Sequence, residues 1–289
     1  MKKYKGIVLA GGAGTRLYPM TSLYSKQLIN IYDKPMIYYP LSLLMMVDIR
    51  DILIISDSKT LPLYQTLFGD GSKLGINIQY AVQHEPKGIA EAFIIGEEFI
   101  GGDNVSLILG DNLFYGDSDF FRTPLQNHAI ATIFAYYVND PKNYGIVEIT
   151  PANQLLSIEE KPEHPKSNYA IPGLYIYDNS VVDVAKNLQA SPRGELEITD
   201  VNKYYMDNAT LDVQKIGRGI AWLDTGMPDS LLEASNFIAA IEHRQGLKMG
   251  CLEEIAYQRN FIDIKQFQKL INNMPNSQYR QYLEGILYD

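Results

Sequence analysis

Short apolar runs alternate with helical patterns along the first half of the chain. The runs predict strands at residues 6–10, 51–56, 76–83 and 105–109. Between them, apolar residues at helical spacing predict helices at residues 36–47, 60–68 and 88–99. Strands that alternate with helices are typical of a parallel, doubly wound sheet. In such sheets ligands bind at the carboxyl ends of the strands, so the residues that follow each strand are candidate site residues.

After Ile130 the pattern changes to consecutive strands. These are predicted at residues 130–138, 145–149, 155–160 and 169–177, followed by helices at 180–187 and 197–207, a strand at 211–216 and a long helix at 230–244. From Gly246 the pattern is helical, with predicted helices at residues 253–257, 264–272 and 277–288. We therefore predict an α/β fold with a doubly wound, Rossmann-like mixed sheet flanked by helices at residues 1–245. A small helical C-terminal subdomain is expected at residues 246–289.

Composition narrows the class of protein. The 289 residues are 46% apolar and 20% charged, which is ordinary for a globular protein with a large core. No apolar run approaches the eighteen or so residues of a membrane span, and the chain enters a strand at once, so we expect a cytoplasmic protein. A net charge of −9 argues against nucleic acid as a partner. The single cysteine, Cys251, provides neither a disulfide framework nor a thiolate metal site.

A glycine-rich basic loop follows the first strand. Gly11, Gly12 and Gly14 let backbone N–H groups approach a polyphosphate, and Arg16 and Lys26 supply mobile positive charge. The loop is not a Walker A loop, and it lacks the third glycine of the dinucleotide-binding motif. A tight turn with incidental charge would explain the glycines alone equally well.

Two aspartates follow apolar runs. Asp111 comes after the strand at residues 105–109, and Asp224 follows the run at residues 221–223. Magnesium prefers one or two carboxylates together with substrate phosphates, so this pair beside a phosphate loop predicts a Mg²⁺ site. A turn-forming or helix-capping aspartate is the alternative for either residue alone.

Four further residues are candidates for contact with a substrate. Lys161 follows a strand and precedes a proline, Arg193 lies in a loop before a helix, and Gln83 ends a strand. A glutamine amide both donates and accepts, which suits the edge of a pyrimidine ring. Tyr144 lies in a loop between strands, where its ring could lie along a sugar. Each has an alternative explanation without a substrate: Lys161 could be a solvated surface charge, the loop of Arg193 could cap a helix, and Tyr144 could pack in the core.

Several motifs occur in the order seen in one enzyme family. They are Gly-Gly-x-Gly-Thr-Arg-Leu at 11–17, Ser-Lys-Gln-Leu at 25–28, Tyr-Asp-Lys-Pro-Met-Ile-Tyr-Tyr-Pro-Leu at 32–41, Gly-Asp-Asn at 110–112, Glu-Glu-Lys-Pro at 159–162 and Trp-Leu-Asp-Thr-Gly at 222–226. In these motifs the chain resembles the sugar-nucleotide pyrophosphorylases. Lys-Ser-Asn-Tyr-Ala at 166–170 and Ser-Pro-Arg-Gly-Glu-Leu-Glu-Ile-Thr-Asp at 191–200 resemble the bacterial glucose-1-phosphate thymidylyltransferase subfamily.

The resemblance implies a role for each matching residue. It implies that the nucleotide is bound by Leu9, Gly11, Gly12, Gly14, Thr15, Arg16, Lys26, Gln27, Gln83, Gly88 and Asp111, with Gln27 near the deoxyribose and with Gln83 and Gly88 reading thymine. It implies that the sugar phosphate is bound by Asn112, Tyr144, Gly145, Glu160, Lys161, Asn168 and Arg193. Mg²⁺ would be held by Asp111 and Asp224, and the catalytic set would be Arg16, Lys26, Asp111, Lys161 and Asp224.

The implied reaction is Mg²⁺-dependent: dTTP and α-D-glucose 1-phosphate give dTDP-glucose and pyrophosphate. Residues 1–245 would then be a nucleotidyltransferase domain with a sugar-binding extension. The family also implies a homotetramer and a first step towards dTDP-rhamnose or other dTDP-sugars for polysaccharide. It implies allosteric feedback at a second site, built from Tyr115, Gly116, Arg218, Cys251, Glu254 and Ile255 together with the helical C-terminal region.

Other functions compete with this one. A nicotinamide dehydrogenase would explain the alternating first half, but the second predicted strand ends in Ile55-Ser56 with no acidic residue for a ribose. A sugar-1-phosphate uridylyltransferase, or a non-catalytic sugar-nucleotide-binding regulatory subunit, would share most of the motifs. Arg16, Asp111 and Lys161 are all present, which argues against the regulatory subunit.

Three positions depart from the family pattern. Asn30 and Leu252 stand where the family usually has proline, and Pro172 stands where threonine or a similar residue precedes Gly173. Pro172 adjoins the expected sugar pocket and has no backbone donor, so it bears on sugar specificity.

Overall fold

The computed structural model describes residues 3–12, 14–127, 129–152 and 154–287. Its strands are β1 (Tyr4–Leu9), β2 (Asn30–Ile31), β3 (Lys34–Pro35), β4 (Asp51–Ser56), β5 (Asn77–Val82), β6 (Asn104–Leu109), β7 (Asn112–Tyr115), β8 (Ala131–Tyr137), β9 (Gly145–Ile149), β10 (Leu155–Glu160), β11 (Tyr169–Ala170), β12 (Leu174–Tyr177), β13 (Leu211–Lys215) and β14 (Ala221–Asp224). Its α-helices are α1 (Tyr38–Met46), α2 (Leu61–Phe68), α3 (Glu91–Ile95), α4 (Glu97–Ile100), α5 (Asp119–Asn127), α6 (Val181–Lys186), α7 (Ile198–Asp207), α8 (Pro228–Gln245), α9 (Leu252–Gln258), α10 (Ile264–Asn272) and α11 (Gln278–Ile286). Single-turn 3-10 helices span Thr15–Leu17, Lys26–Leu28 and Ser72–Leu74.

One ten-stranded mixed sheet organises the molecule. Strands β5, β4, β1 and β6 run parallel in that order, and β12 joins β6 in the antiparallel sense. The sheet continues through β8, β11, β9 and β10, while β13 pairs with β8 in parallel. The expected α/β fold, a mixed doubly wound sheet flanked by helices, is confirmed. The carboxyl ends of β1 and β6 are neighbours, with Leu9 opposite Leu109, which brings the two loops that follow these strands together.

The sheet separates two hydrophobic layers, because successive strand residues point to opposite faces. Val8 and Ile54 pack on one face, which α1 and α9 cover, while Ile7 and Leu53 pack on the other. The second layer is completed by residues from α3, α6 and α7, namely Phe93, Val181 and Val201. Both faces of β1 and β4 are therefore buried, which explains why these strands read as unbroken apolar runs.

The C-terminal helices share the first of these layers. Leu252, Phe267 and Leu283 belong to the same buried cluster as Val8 of the central strand. The boundary predicted at residues 245 and 246 falls where α8 ends, at Gln245, and the packing is continuous across it. Residues 1, 2, 288 and 289, which the predicted domains and the last predicted helix include, lie outside the described residues.

Two predicted elements are interrupted in the structure. The strand expected at residues 169–177 is two strands, β11 and β12, because Pro172 has no N–H to donate to a neighbouring strand. The helix expected at residues 88–99 is two short helices that meet at Gly96. The hairpin β2–β3, the strands β7 and β14 and the helix α5 were not predicted. Among the helices described, none is long and apolar enough to cross a membrane.

Candidate active site

Two strands outside the main sheet bring the candidate metal ligands together. β7 begins directly after Asp111, and it pairs antiparallel with β14, so that Asp224 lies opposite Asn112. Thr225 supports this arrangement, since its hydroxyl donates to the Asp111 backbone carbonyl over 2.9 Å. Residues separated by more than a hundred positions thus form a pair of neighbouring carboxylates.

The two carboxylates, Asp111 and Asp224, differ in their electrostatic surroundings. Burial, followed by repulsion from Asp111, raises the pKa of Asp224 above its ordinary value. Lys26 and Arg16 act in the opposite sense, and the Lys26 ammonium donates to Asp111 Oδ2. A buried carboxylate that repels its neighbour is stabilised when a cation binds between them. The geometry therefore suits a hard cation, although no cluster of three or more candidate ligands occurs in the described ranges.

The glycine loop forms one wall of a cavity of about 240 Å³. Gly12 and Gly14 have φ angles of 110° and 57°, conformations that non-glycine residues rarely adopt. The loop leads into the 3-10 helix Thr15–Leu17. The cavity is lined by Gly11, Gly12, Gly14, Thr15, Arg16, Leu17, Lys26, Gln27, Asp111 and Gly226. Eight of these ten residues belong to the predicted nucleotide-binding set.

Lys26 and Gln27 are held in place by buried contacts. Lys26 is only 7% exposed, and its ion pair with Asp111 compensates for that burial. Gln27 accepts from the Ser25 hydroxyl over 2.5 Å and lies against Gly110, where a Cβ would approach its Cγ to 2.8 Å. Both side chains consequently occupy defined positions beside the glycine loop.

A second cavity of about 240 Å³ adjoins the first. Arg16 and Asp111 line both cavities, and Asp224 lines the second. The other lining residues of the second cavity include Asn112, Tyr144, Gly145, Glu160, Lys161, Arg193, Tyr175, Glu197, Thr199 and Trp222. Six of the seven residues predicted for the sugar phosphate therefore lie around one cavity.

The cations of the second cavity surround carboxylates. Lys161 Nζ and Arg193 Nη2 each lie 3.6 Å from Glu160 Oε1. Arg193 also donates to both oxygens of Glu197 over 2.9 and 3.0 Å, and this hydrogen bonding raises its pKa. Lys161 has a φ of 41°, an unusual value for a lysine and one that is often found at functional sites. Both cations are nearly half exposed, so each can move towards an anion in the cavity.

Two of the predicted sugar contacts have structural partners. Asn112 is 4% exposed, and its Oδ1 accepts from the Trp222 indole over 2.7 Å and from the Gly173 backbone over 2.9 Å. Its Nδ2 donates to Asp111 Oδ1 over 3.0 Å, which orients that carboxylate. Asn168 donates to the Val138 carbonyl and is not among the residues that line the cavity.

Of the expected base-binding residues, Gln83 lies beside the glycine loop and Gly88 packs against Leu196. The backbone N–H of Gln83 donates to the Ser56 carbonyl over 2.8 Å, and a Cβ on Gly11 would lie 2.8 Å from Gln83 Oε1. Gly88 has a φ of 105°, and a Cβ there would lie 2.4 Å from the Leu196 carbonyl oxygen. Gly88 is therefore required for the close backbone approach to Leu196, whereas a Cβ on Gly11 would displace the Gln83 side chain.

Replacement of Gly88 with alanine is expected to destabilise the fold and to weaken dTTP binding. The positive φ and the backbone contact with Leu196 both oppose a Cβ, at a cost of about 1–3 kcal/mol. Chemical denaturation measures the stability, and calorimetric titration measures the binding. Gly102→Ala is the matched control, because its Cβ would meet open space. Equal stability of the two variants would contradict the close packing described here.

The residues predicted for a second site fall in two groups. Gly116 has a φ of 125° and packs against Gly219 and Ile220, next to Arg218, which is exposed. Tyr115 belongs to the same group and accepts from Gln245 over 3.0 Å. The second group lies on and before α9, and comprises Cys251, Glu254 and Ile255. Glu254 accepts from Tyr282 over 2.6 Å, and burial raises its pKa, while Cys251 is only 1% exposed.

Sequence reasoning missed several residues of the second cavity. Glu197 and Thr199 belong to a motif that was noted, yet only Arg193 was singled out from it. Thr199 donates to Glu160 over 2.5 Å and so links α7 to the end of β10. Trp222 lies two positions before Asp224, and its ring packs 5.1 Å from that of Tyr144. These residues lie within motifs that were recognised, but the spacing of residues along the chain does not show which side chains they contact.

Comparisons with known proteins agree with this geometry. Residues 5–241 match the nucleotidyl transferase family. A glucose-1-phosphate thymidylyltransferase from Neisseria meningitidis serogroup A is 53% identical over 98% of this chain and 99% of its own length. The glucose-1-phosphate thymidylyltransferase of Mycolicibacterium smegmatis is 51% identical, again over 98% of this chain and 99% of its own.

Solved structures give the same fold. A Bacillus anthracis protein assigned as a glucose-1-phosphate thymidylyltransferase, solved in complex with sucrose, superposes with a TM-score of 0.76. It is 38% identical, and the match covers 81% of this chain and 94% of that one. A UDP-glucose pyrophosphorylase complexed with UDP-glucose superposes with a TM-score of 0.74 at 21% identity, over 83% of this chain and 100% of that one. That second likeness concerns the fold alone.

Proposed function

We propose that this chain, which belongs to the nucleotidyl transferase family, transfers the thymidylyl group of dTTP to α-D-glucose 1-phosphate. The products are dTDP-glucose and pyrophosphate. One observation carries the proposal: a glycine-lined cavity and a cavity lined by the half-exposed cations Lys161 and Arg193 share Arg16 and Asp111. Two phosphorylated substrates can meet at that shared wall, and the names of the relatives identify both substrates.

The reaction needs no nucleophile from the protein. An oxygen of the sugar phosphate attacks the α-phosphorus of dTTP, the new P–O bond forms, and the bond to the departing pyrophosphate breaks. Both substrates are anions, so the protein must hold them in line and reduce their repulsion. Lys26 lines the glycine-lined cavity, Lys161 lines the second cavity, and Arg16 lines both.

We infer Mg²⁺ as the cofactor, held by Asp111 and Asp224 together with substrate phosphates. The residues fit this ion, because Asp111 and Asp224 line the same cavity and Mg²⁺ prefers one or two carboxylates together with substrate phosphates. When bound, the ion neutralises phosphate charge as a Lewis acid. The protein's own part is to keep both carboxylates in place through Asn112 and Thr225.

On the sugar side, Lys161 and Arg193 are proposed to bind the phosphate of glucose 1-phosphate. Arg193 must then exchange part of its bidentate contact with Glu197 for the phosphate, which its exposed position allows. Tyr144, Gly145 and Glu160 line the remaining wall, where hydroxyl groups of glucose can find donors and acceptors. Pro172 is buried between β11 and β12, flanked by the lining residues Ile171 and Gly173, and its carbonyl accepts from the Leu174 N–H over 2.8 Å.

A pyrophosphate-release assay tests the proposed function. The protein is incubated with Mg²⁺, dTTP and glucose 1-phosphate, and release is compared with reactions that lack either substrate. A panel of nucleotides and sugar phosphates then separates thymidylyl from uridylyl transfer. Release that requires both substrates supports the proposal, whereas the absence of release, or reduction of a nicotinamide cofactor, contradicts it.

We further propose a cytoplasmic homotetramer that supplies dTDP-glucose to dTDP-sugar synthesis, such as that of dTDP-rhamnose for polysaccharide. Feedback by a downstream dTDP-sugar would act at the second site, built around Arg218, Tyr115 and Gly116. The exposed Arg218 between two glycines suits a diphosphate, and it is remote in sequence from the loops of Lys161 and Arg193. An effector that binds between subunits could alter the distant active site with a coupling of roughly 1–3 kcal/mol.

Replacement of Arg218 with alanine is expected to relieve inhibition by dTDP-rhamnose while KM for dTTP without inhibitor changes little. The reason is that one diphosphate-binding cation is lost outside the two active-site cavities. Inhibition curves at several dTTP concentrations provide the measurement, with Lys265→Ala as a charge-matched control on α10. Unchanged inhibition in the Arg218 variant, or inhibition purely competitive with dTTP, would show that the second site is wrongly located.

A further inference from the structure

The amide of Gln83 is held by a carboxylate that has no place in the proposed chemistry. Gln83 Nε2 donates to Glu91 Oε2 over 2.8 Å. The same oxygen accepts from the backbone N–H of Lys87 over 3.2 Å, which fixes Glu91 across the loop that contains Gly88. Glu91 is the first residue of α3, whereas Gln83 directly follows β5. The pair therefore joins the end of a strand to the beginning of a helix beside the glycine loop.

A carboxylate decides which way a glutamine amide points. Ionised carboxylates only accept hydrogen bonds, whereas an amide has a donor end and an acceptor end. The NH₂ group of Gln83 must therefore face Glu91, and the carbonyl oxygen must face away from it. That oxygen lies towards Gly11, since a Cβ on Gly11 would come within 2.8 Å of it. Gln83 consequently presents a fixed acceptor on the side of the nucleotide cavity.

We propose that Glu91 is a positioning residue that selects the nucleobase by locking the orientation of Gln83. This inference rests on the proposed function, in which Gln83 faces the pyrimidine. Thymine and uracil carry an N–H at ring position 3, which matches a fixed acceptor. Cytosine carries a bare nitrogen there and an amino group at position 4, so it meets an acceptor where it requires a donor. The lock thus excludes cytosine and leaves the choice between thymine and uracil to other contacts.

The decisive variant is Glu91→Gln. It keeps the size of the side chain, but it replaces a carboxylate that only accepts hydrogen bonds with an amide that can also donate them. The introduced amide can form the same hydrogen bond to Gln83 with both amides turned around. Only the 3.2 Å contact with the Lys87 N–H then opposes that turn, so the end of Gln83 that faces the base is fixed much less strictly. We expect the ratio of kcat/KM for dTTP over dCTP to fall about tenfold or more. The ratio for dTTP over dUTP should stay constant, because both bases present the same N–H.

Two further variants complete the test. Glu91→Asp keeps the charge but withdraws it by one methylene, so it should also lower the ratio of dTTP over dCTP. Glu98→Gln changes an exposed carboxylate on the neighbouring helix α4 and should leave every ratio unchanged. If Glu91→Gln does not fold, as judged by circular dichroism, Glu91→Asp takes its place. Equal losses with dTTP, dUTP and dCTP would reduce Glu91 to a structural residue, and an unchanged ratio of dTTP over dCTP would overturn the proposal.

Failure of this inference can be told apart from failure of the proposed function. A wild-type protein that releases no pyrophosphate from dTTP and glucose 1-phosphate refutes the function. Calorimetric titration of wild type and Glu91→Gln with dTTP and with dCTP tests the lock without turnover. Preserved discrimination between these two nucleotides in the variant refutes the lock alone, even where the wild type is fully active.

Discussion

Replacement of Asp224 with asparagine is expected to lower kcat by about a hundredfold or more while the fold is retained. The same result is expected for Asp111→Asn. Each change removes the charge of one carboxylate from the pair formed by β7 and β14, and a hard cation between the substrates loses a ligand. In the Asp111 variant Lys26 also loses its ion-pair partner, so that variant should be the less stable of the two.

Pyrophosphate release over a range of Mg²⁺ concentrations measures this effect. Asp183→Asn, an exposed carboxylate on α6, serves as the control. Circular dichroism and thermal melting establish that the variants are folded. Near-wild-type turnover of both aspartate variants at saturating Mg²⁺ would remove the basis for the metal assignment.

The second large effect is expected for the nucleobase. dTTP should be used best and UTP less well, while ATP and GTP should show kcat/KM values lower by roughly four orders of magnitude. Gln83 is held between Gly11 and Glu91, and Gly88 lies directly against the backbone of Leu196. A purine is larger than a pyrimidine and carries its hydrogen-bonding edge further from the sugar, so it would not place a donor where the N–H of thymine meets the Gln83 acceptor.

Steady-state kinetics with the four triphosphates at fixed glucose 1-phosphate measure this preference. A parallel binding experiment shows whether the discrimination occurs in the complex or in the transition state, since only the first appears in Kd. Equal kcat/KM for ATP and dTTP would contradict the assignment of Gln83 to the base.

The sequence predicted most of the regular elements because their signals are local. The strands at residues 51–56, 145–149 and 155–160 and the helix at 264–272 have the predicted bounds, since apolar runs and helical periodicity identify elements that pack on a continuous core. The elements that were missed have weak local signals. β2 and β3 have two residues each, and α5 contains Pro124, which normally ends a helix.

The site divides in the same way. The glycine loop with Arg16 and the aspartate after β6 could be identified from the sequence, because each follows a strand whose carboxyl end must lie at a ligand-binding edge. Asp224 was also singled out from the sequence, but its position opposite Asn112 depends on the register of β14 against β7, which the sequence did not show. The contact between Gln83 and Glu91 could not be predicted from the sequence either, because Glu91 lies eight positions further along the chain, at the start of another element.

The sequence by itself therefore determined the fold class, the glycine-rich loop and the family resemblance. All three depend on residues that are close together in the chain. The pairing of Asp224 with Asp111 was predicted as well, but only the tertiary structure showed how β7 and β14 bring it about. Only the tertiary structure decided that Arg193 meets Glu197 and that Gln83 meets Glu91. The physical reason is that periodicity and turn chemistry act over a few residues, whereas the direction of a hydrogen bond or the field at a carboxylate depends on groups that strand pairing and helix packing bring together.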